Sequence, residues 1–399
     1  MKNDPPDIPI QSLADITPRL GEIRKTLADS REMLLANLVM ISEIPAPTFS
    51  EAQRVRFLVD RFAECGLDRT STDEVGNGVG VLEGAAEDPT QNILVVAHAD
   101  TNFDTTDDHT VSMREDRVLG AGVGDNSLGM ATLATLPTLL DRLGIELQSN
   151  LILLGATRSL GRGDLQGLRF FLENADTPIE AAVCIEGVQL GRLSYASLGM
   201  LRGEITVTVP EVYDWTRFGA SSAILILNDV INRLMAIPLP RKPRTSILLG
   251  SVRGGTSYNT LATSATLRFE IRSESSKIVH NVGDAIRDIT DELSAQTAAE
   301  VKVDIFAQRE PGGVPFGHPL VAATRHIMQH LDIDPHITPS MSELATLIGR
   351  NIPAVTLGLT TGENLHTGRE MIRIEPVYTG LAQLIGVLMA IDQGVRRAH

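Results

Sequence analysis

Apolar residues recur at helical spacing over residues 20–41 and again over 51–65, where Gly66 closes the run. The pattern then changes to a short, unbroken apolar run at 92–97. Runs of this kind fit strands buried on both faces of a parallel sheet, because helices cover each face. Comparable runs recur at 151–154, 181–185 and 354–357, and helical stretches at 128–143 and 165–173 separate the first three. Strands alternating with helices predict an α/β fold, a mostly parallel sheet with helices on both faces.

After about residue 195 the pattern changes again. Residues 202–209 alternate apolar and polar, as a half-exposed strand does. A helix follows at 220–235, ended by Pro238, then strands at 245–251 and 265–272, a helix at 277–296 and a strand at 301–306. The order β-α-β-β-α-β is that of ferredoxin-like α+β layers. The α/β pattern resumes after Gly313, with helices at 320–331 and 376–391. The chain therefore reads as a larger domain, 1–196 and 312–399, into which a small α+β domain, 197–311, is inserted.

Composition narrows the class. The 399 residues are 43% hydrophobic and 21% charged, as in an ordinary soluble protein, and only 4% aromatic, so aliphatic side chains fill the cores. The formal net charge of −15 argues against a nucleic-acid partner, whose phosphates are held by Lys and Arg, and against an anionic membrane surface. Cys65 and Cys184 are too few for a disulfide framework or a cysteine zinc site. The first residues hold no apolar signal region, and the longest strongly apolar stretch, 33–41, is too short to span a bilayer. A cytoplasmic protein is expected.

Four segments at strand ends carry candidate chemistry. His98-Ala99-Asp100 follows the run at 92–97, where ligands collect in open α/β sheets. A histidine there can bind a metal through one ring nitrogen while a nearby carboxylate orients the other. Asp125 ends the glycine-rich stretch Gly120-Ala-Gly-Val-Gly-Asp125, which fails the register of a dinucleotide loop. Glu186 directly follows the run at 181–185, and Glu363-Asn-Leu-His366 follows the run at 354–357. Taken singly, each fits a capping or loop role as well as a ligand role. Together they form an oxygen and nitrogen constellation at one sheet edge, suited to a divalent metal.

At this point the chain resembles the di-zinc exopeptidases and deacylases that include peptidase T, aminoacylase, acetylornithine deacetylase and glutamate carboxypeptidase. The resemblance runs from Ile44-Pro-Ala-Pro-Thr-Phe-Ser-Glu51 to His366-Thr-Gly-Arg-Glu370, and the closing segment is most similar to peptidase T. It implies that His98 and Glu186 hold one zinc, that Asp100 orients His98, that Asp125 bridges two zincs through a carboxylate aimed by a cis peptide bond, and that His366 holds the other zinc. It also implies that Asn259 and Arg272 of the inserted lid grip a substrate carboxylate, that the substrate is a small peptide or acylated amino acid, and that the lid forms a homodimer. The apolar positions Ile224, Leu225, Leu227 and Ile231 exceed what one buried helix face needs, in keeping with that homodimer.

The chain departs from the family at two places. Arg158 and Ser159 stand where the family has two adjacent glutamates, a general base and a zinc ligand, and no acid lies between Glu146 and Asp164. The lid histidine that helps polarise the scissile carbonyl has no counterpart in the stretch 213–218. A guanidinium is always protonated and cannot act as a base. The expectation is therefore one zinc per chain at His98, Asp125 and Glu186, a catalytic centre altered at Arg158 and Ser159, and the Arg158 guanidinium within hydrogen-bonding reach of Asp125 or His366.

Overall fold

The computed structural model describes residues 10–67, 69–87, 90–175, 177–210 and 221–395. The chain divides into two units, Met1–Ala196 with Gly313–His399, and Ser197–Gly312.

After a short helix at Ile10–Ile16 and a single turn at Thr17–Arg19, the first unit continues with helices α1 (Leu20–Ala28), α2 (Arg31–Ser42) and α3 (Ala52–Glu64). The single helix expected over 20–41 is thus two. Apolar periodicity runs through Leu27 and Leu34, but the Asp29 N–H bonds back to Thr26 and Leu27 and ends the first helix. Asp and Ser at the junction favour such turns over helix interiors. The chain continues through β1 (Arg69–Thr72), β2 (Gly78–Leu82), β3 (Asn92–His98), α4 (Leu128–Arg142), β4 (Asn150–Ala156), α5 (Gln166–Asn174), β5 (Ile179–Val188) and β6 (Arg192–Ser194). The second unit supplies β7 (Gly199–Thr208), α6 (Ala223–Met235), β8 (Thr245–Gly254), β9 (Ser264–Ser273), α7 (Ser276–Gln296) and β10 (Glu300–Arg309). The first unit then resumes with α8 (Pro319–His330), β11 (His336–Ile337), α9 (Glu343–Gly349), β12 (Ala354–Thr360) and α10 (Glu375–Ala390).

In the first unit the large sheet has the order β1-β2-β4-β3-β5-β12-β6-β11. Its central strands β4, β3, β5 and β12 are parallel, while β2 and β6 flank them in antiparallel fashion. Every residue of β3, β4 and β12 is buried, as their unbroken apolar runs require. Alternation splits the strands between two cores. Ile93, Val95 and Ala97 join the cluster of α4 and α10, whereas Leu94, Val96, Ala182 and Cys184 pack with Leu168 of α5 and Leu344 and Leu347 of α9. The same alternation assigns His98 and Glu186, two residues beyond Val96 and Cys184, to the α5/α9 face.

The second unit is a four-stranded antiparallel sheet of order β8-β9-β7-β10 with both helices packed on one face. Leu201, Ile205, Leu267 and Phe269 fill that core. The opposite face carries charged cross-strand partners, Arg202 opposite Glu270 and Glu204 opposite Arg268. Among the described residues no helix is long and apolar enough to cross a membrane.

Candidate metal centre

Strand β3 delivers His98 to the carboxyl edge of the sheet. Its Nδ1 donates to the Asp100 carbonyl oxygen at 2.9 Å, and the Asp100 Oδ1 lies farther away, at 3.5 Å. A carbonyl only accepts, so the proton sits on Nδ1 and the Nε2 face is turned to the centre. The Asp100 carboxylate spends its Oδ2 on the Thr48 hydroxyl and the Leu160 N–H, both at 2.8 Å. It thus clamps two loops while its backbone fixes the imidazole.

Asp125 stands on a turn that needs glycines. Gly122 takes φ of 68°, and a Cβ on Gly187 of β5 would meet the Gly124 carbonyl oxygen at 2.1 Å. The Asp125–Asn126 peptide bond is cis, as the resemblance implied. The Asn126 side chain ties the turn to β5, donating to the Ile185 carbonyl at 2.8 Å and accepting from the Gly187 N–H at 3.0 Å. Buried Glu370 holds the turn from the other side, accepting from the N–H groups of Gly124 at 2.7 Å and Asp125 at 2.8 Å. Its second oxygen accepts from the His366 N–H at 3.3 Å.

The Asp125 carboxylate lies between two imidazoles, with Oδ1 3.0 Å from His98 Nε2 and Oδ2 3.1 Å from His366 Nδ1. Burial alone would raise its pKa, but the hydrogen bonds from His366 and His98 hold it far below the usual carboxylate range. Burial likewise opposes charge on His98, and Asp100 and Asp125 overcome it, so its pKa is raised well above the ordinary value. His366 is raised as well, chiefly by its bond to Asp125.

Glu186 completes the group. Its Oε2 lies 4.0 Å from His98 Nε2, and its Oε1 lies 3.7 Å from Arg192 Nη1. Burial raises its pKa, and Arg192 and His98 offset this only in part. One ligand atom from each of His98, Asp125 and Glu186 lies within 4.8 Å of the others. One imidazole and two carboxylates form a donor set suited to zinc, with room for a fourth position. His366 reaches the group only through Asp125, from a left-handed residue whose side chain is 62% exposed.

The Arg158–Ser159 segment follows β4 directly. Ser159 is buried, with its hydroxyl unpartnered. The expectation that Arg158 pairs with Asp125 or His366 is corrected here. Its Nη1 donates to Gln166 Oε1 at 3.2 Å, and its guanidinium lies over the Phe49 ring at 5.8 Å. The physical reason is that the two imidazoles already satisfy Asp125, leaving no unpaired charge for Arg158 to neutralise. Neither nearby acid fills the place of a base. Asp164 is engaged by Arg169 at 3.4 Å, and Glu363 is exposed beside Arg373.

In the second unit, Arg272 donates to Glu270, which also pairs with Arg202, and Asn259 accepts from Ser257 in an exposed loop. The stretch 213–218, with its missing histidine, lies outside the described residues.

Among the described residues, the buried charged groups Glu51, Arg54, Glu343 and Glu370 escaped sequence reasoning as site residues. Glu51 accepts from the N–H groups of Phe49 and Arg158, and fully buried Arg54 donates to the carbonyls of Ile44 and Ala99. Glu370 is described above. Glu343 begins α9 on the face that carries Cys184, and its Oε1 is buried without a partner. Glu51 and Glu370 end the two segments that carry the family resemblance; nothing local marks Arg54 or Glu343.

Residues 217–298 match the model of a peptidase dimerisation domain. No curated protein matches the chain. Solved structures do. A di-peptidase from Saccharomyces cerevisiae is 13% identical with a TM-score of 0.80, covering 94% of this chain and 99% of that one. The aminopeptidase PepT from Bacillus cereus is 16% identical with a TM-score of 0.68, covering 90% of this chain and 98% of that one. A peptidase of the M20 family from Bacillus subtilis, described as dinuclear metal binding, is 15% identical with a TM-score of 0.62 and covers 91% and 98%. The fold is that of these metallopeptidases. The likeness extends over both units and is borne out for the fold expected from the sequence, a sheet of mostly parallel central strands with an inserted α+β unit.

Proposed function

We propose that the protein is a metal-dependent hydrolase of peptide or N-acyl-amino-acid amide bonds, with one zinc ion held by His98, Asp125 and Glu186. The convergence of these three ligand atoms within 4.8 Å carries the reading. A divalent cation there supplies Lewis-acid polarisation of the scissile carbonyl and activation of a water nucleophile. The chain's own residues set the geometry. Asp100 fixes the His98 ring, Glu370 sets the Asp125 turn, and Arg192 balances Glu186.

Arg158 cannot take a proton, and a positioned general base contributes about 10²–10⁴-fold in rate. Turnover of ordinary dipeptides is therefore slow compared with enzymes that keep a glutamate there. The same residue favours a second reading, a protein that binds a small carboxylate or peptide without turnover. Zinc content per chain, with hydrolysis of a dipeptide and N-acyl-amino-acid panel, separates the two. One zinc with measurable, chelator-sensitive hydrolysis supports the hydrolase. Binding without hydrolysis supports the second reading, no metal uptake removes the hydrolase, and neither metal uptake nor ligand binding overturns both.

The second unit supports a homodimer. Leu227 and Ile231 of α6 pack into its core, whereas Ile224 and Leu225 are 45% and 61% exposed. Edge strand β8 exposes Leu248, Leu249 and Val252. An apolar, unpaired edge is a surface that a second copy covers.

A further inference from the structure

Two left-handed residues, Phe49 at φ 77° and Arg158 at φ 54°, are pinned by one carboxylate. Glu51 is buried, and its Oε1 accepts from the Phe49 N–H at 3.0 Å and the Arg158 N–H at 2.8 Å. Asp100 makes a second clamp, through Thr48 one residue before Phe49 and through Leu160 two residues after Arg158. The loops at 48–49 and 158–160 are thereby stitched to the residue whose carbonyl fixes His98. Backbone strain of this kind persists only where surrounding contacts enforce it.

The clamps present an aromatic–guanidinium pair. Phe49 is 55% exposed, the half-buried Arg158 guanidinium lies over its ring, and among the described residues a single Gln166 oxygen accepts from it. Among the described residues no carboxylate pairs with it, in a chain of 50 acidic residues. A guanidinium has five donors in a planar fork, and one is used here. Stacking on an aromatic face orients the fork and leaves its edge open to a carboxylate or phosphate.

We propose that Arg158, stacked on Phe49 and braced by Gln166, is an oxyanion subsite beside the metal centre. The substrates it selects carry a carboxylate or phosphate on the acyl or side-chain portion, in addition to the amide bond. This rests on the hydrolase reading for the word substrate, but the anion binding does not depend on turnover.

The test is equilibrium titration of chelator-treated and zinc-loaded protein with pairs that differ in one side-chain anion: N-acetyl-L-glutamate against N-acetyl-L-glutamine, and N-acetyl-O-phospho-L-serine against N-acetyl-L-serine. Wild-type protein should bind the member with the additional side-chain anion tenfold or more tightly in at least one pair, and the pair that shows it identifies the anion. Arg158→Gln should abolish the preference, and Arg158→Lys should retain part of it, because an ammonium keeps the charge and loses the fork. Phe49→Leu, at an exposed position, should weaken it several-fold with the fold intact. Equal binding of both members of each pair, or a preference that Arg158→Gln leaves in place, overturns the proposal. An Arg158-dependent preference in a protein that takes up no zinc upholds the subsite and removes the hydrolase reading.

Discussion

Glu370 links two of the candidate ligands, and its removal has a calculable effect. The side chain is fully buried and accepts three backbone N–H groups, from Gly124 at 2.7 Å, Asp125 at 2.8 Å and His366 at 3.3 Å. Glu370→Ala strands the two strongly bonded donors. Each buried donor left without an acceptor costs about 1–3 kcal/mol, or about 2–6 kcal/mol for two. Relief of the desolvation that raises the Glu370 pKa returns part of this, so metal-free protein should lose about 2–4 kcal/mol. Glu370→Gln keeps one oxygen for Gly124 and Asp125 and turns an amide NH₂ toward His366, sacrificing the longest bond. It should lose about 1 kcal/mol. Partners that orient metal ligands are worth about 10–100-fold in metal affinity, so zinc binding should fall in the order wild type, Gln, Ala. Urea unfolding followed by far-ultraviolet circular dichroism gives the first quantity, and calorimetric zinc titration gives the second. Equal destabilisation by the two substitutions, or zinc affinity unchanged in both, would refute the reasoning.

Arg158→Glu combined with Ser159→Glu restores two carboxylates after β4 and should raise bound zinc from one to two per chain by elemental analysis. A ratio that stays at one means this segment does not reach His366 and Asp125. In metal-free protein the His98 pKa is raised, so its contribution to stability is present below the ordinary histidine value and is lost as pH climbs through the raised one. The Asp125 pKa is lowered, so its contribution is present above the ordinary carboxylate value and is lost only as pH falls far below it. Glu51, Glu186 and Glu370, each raised by burial, also disfavour high pH. Metal-free protein should therefore weaken as pH rises above the ordinary carboxylate and histidine values, while zinc affinity rises over the same range because uptake displaces the His98 proton. Parallel trends in both quantities would contradict the charge assignment. Leu225→Asp with Val252→Lys should convert a dimer to a monomer in sedimentation velocity, and an unchanged dimer would place the interface elsewhere.

Of the positions that converge at the centre, His98 and Glu186 were legible because each lies on a strand that announces itself, and Asp125 because it ends a glycine-rich stretch. The strand ending at His98 and the strand carrying Glu186 are built on apolar runs, and such strands deliver their ends to one edge of a parallel sheet. The β-α-β-β-α-β order of the second unit was legible from alternation for the same reason. Less legible was the pair β1 and β2, a short polar strand and a glycine-rich one, Gly78-Val-Gly-Val-Leu82, whose pairing with β4 is tertiary. Arg54, Glu51 and Glu343 are charged residues in helical or loop sequence, where solvent exposure is the ordinary reading. What buries them is contact with carbonyls and N–H groups over 100 residues away in one case, as for Glu51 and Arg158 across a separation of 107.

Arg158 shows where order along the chain stops informing. Charge balance drew it to Asp125, on the premise that a carboxylate without a second metal lacks a counterion. That premise omitted His366, whose Nδ1 already lies 3.1 Å from Asp125 Oδ2. With both carboxylate oxygens engaged, a third cation at Asp125 gains little and is repelled by two imidazolium groups. The guanidinium instead takes the position that its backbone dictates. Glu51 holds Arg158 at φ 54°, and from there the side chain meets Phe49 and Gln166. On the proposed reading, a cation in place of a base at this loop does more than remove a proton acceptor. It would leave the proposed centre at His98, Asp125 and Glu186 in place and add a donor fork that no carboxylate among the described residues pairs with, so a change that lowers the rate for neutral substrates would also select anionic ones.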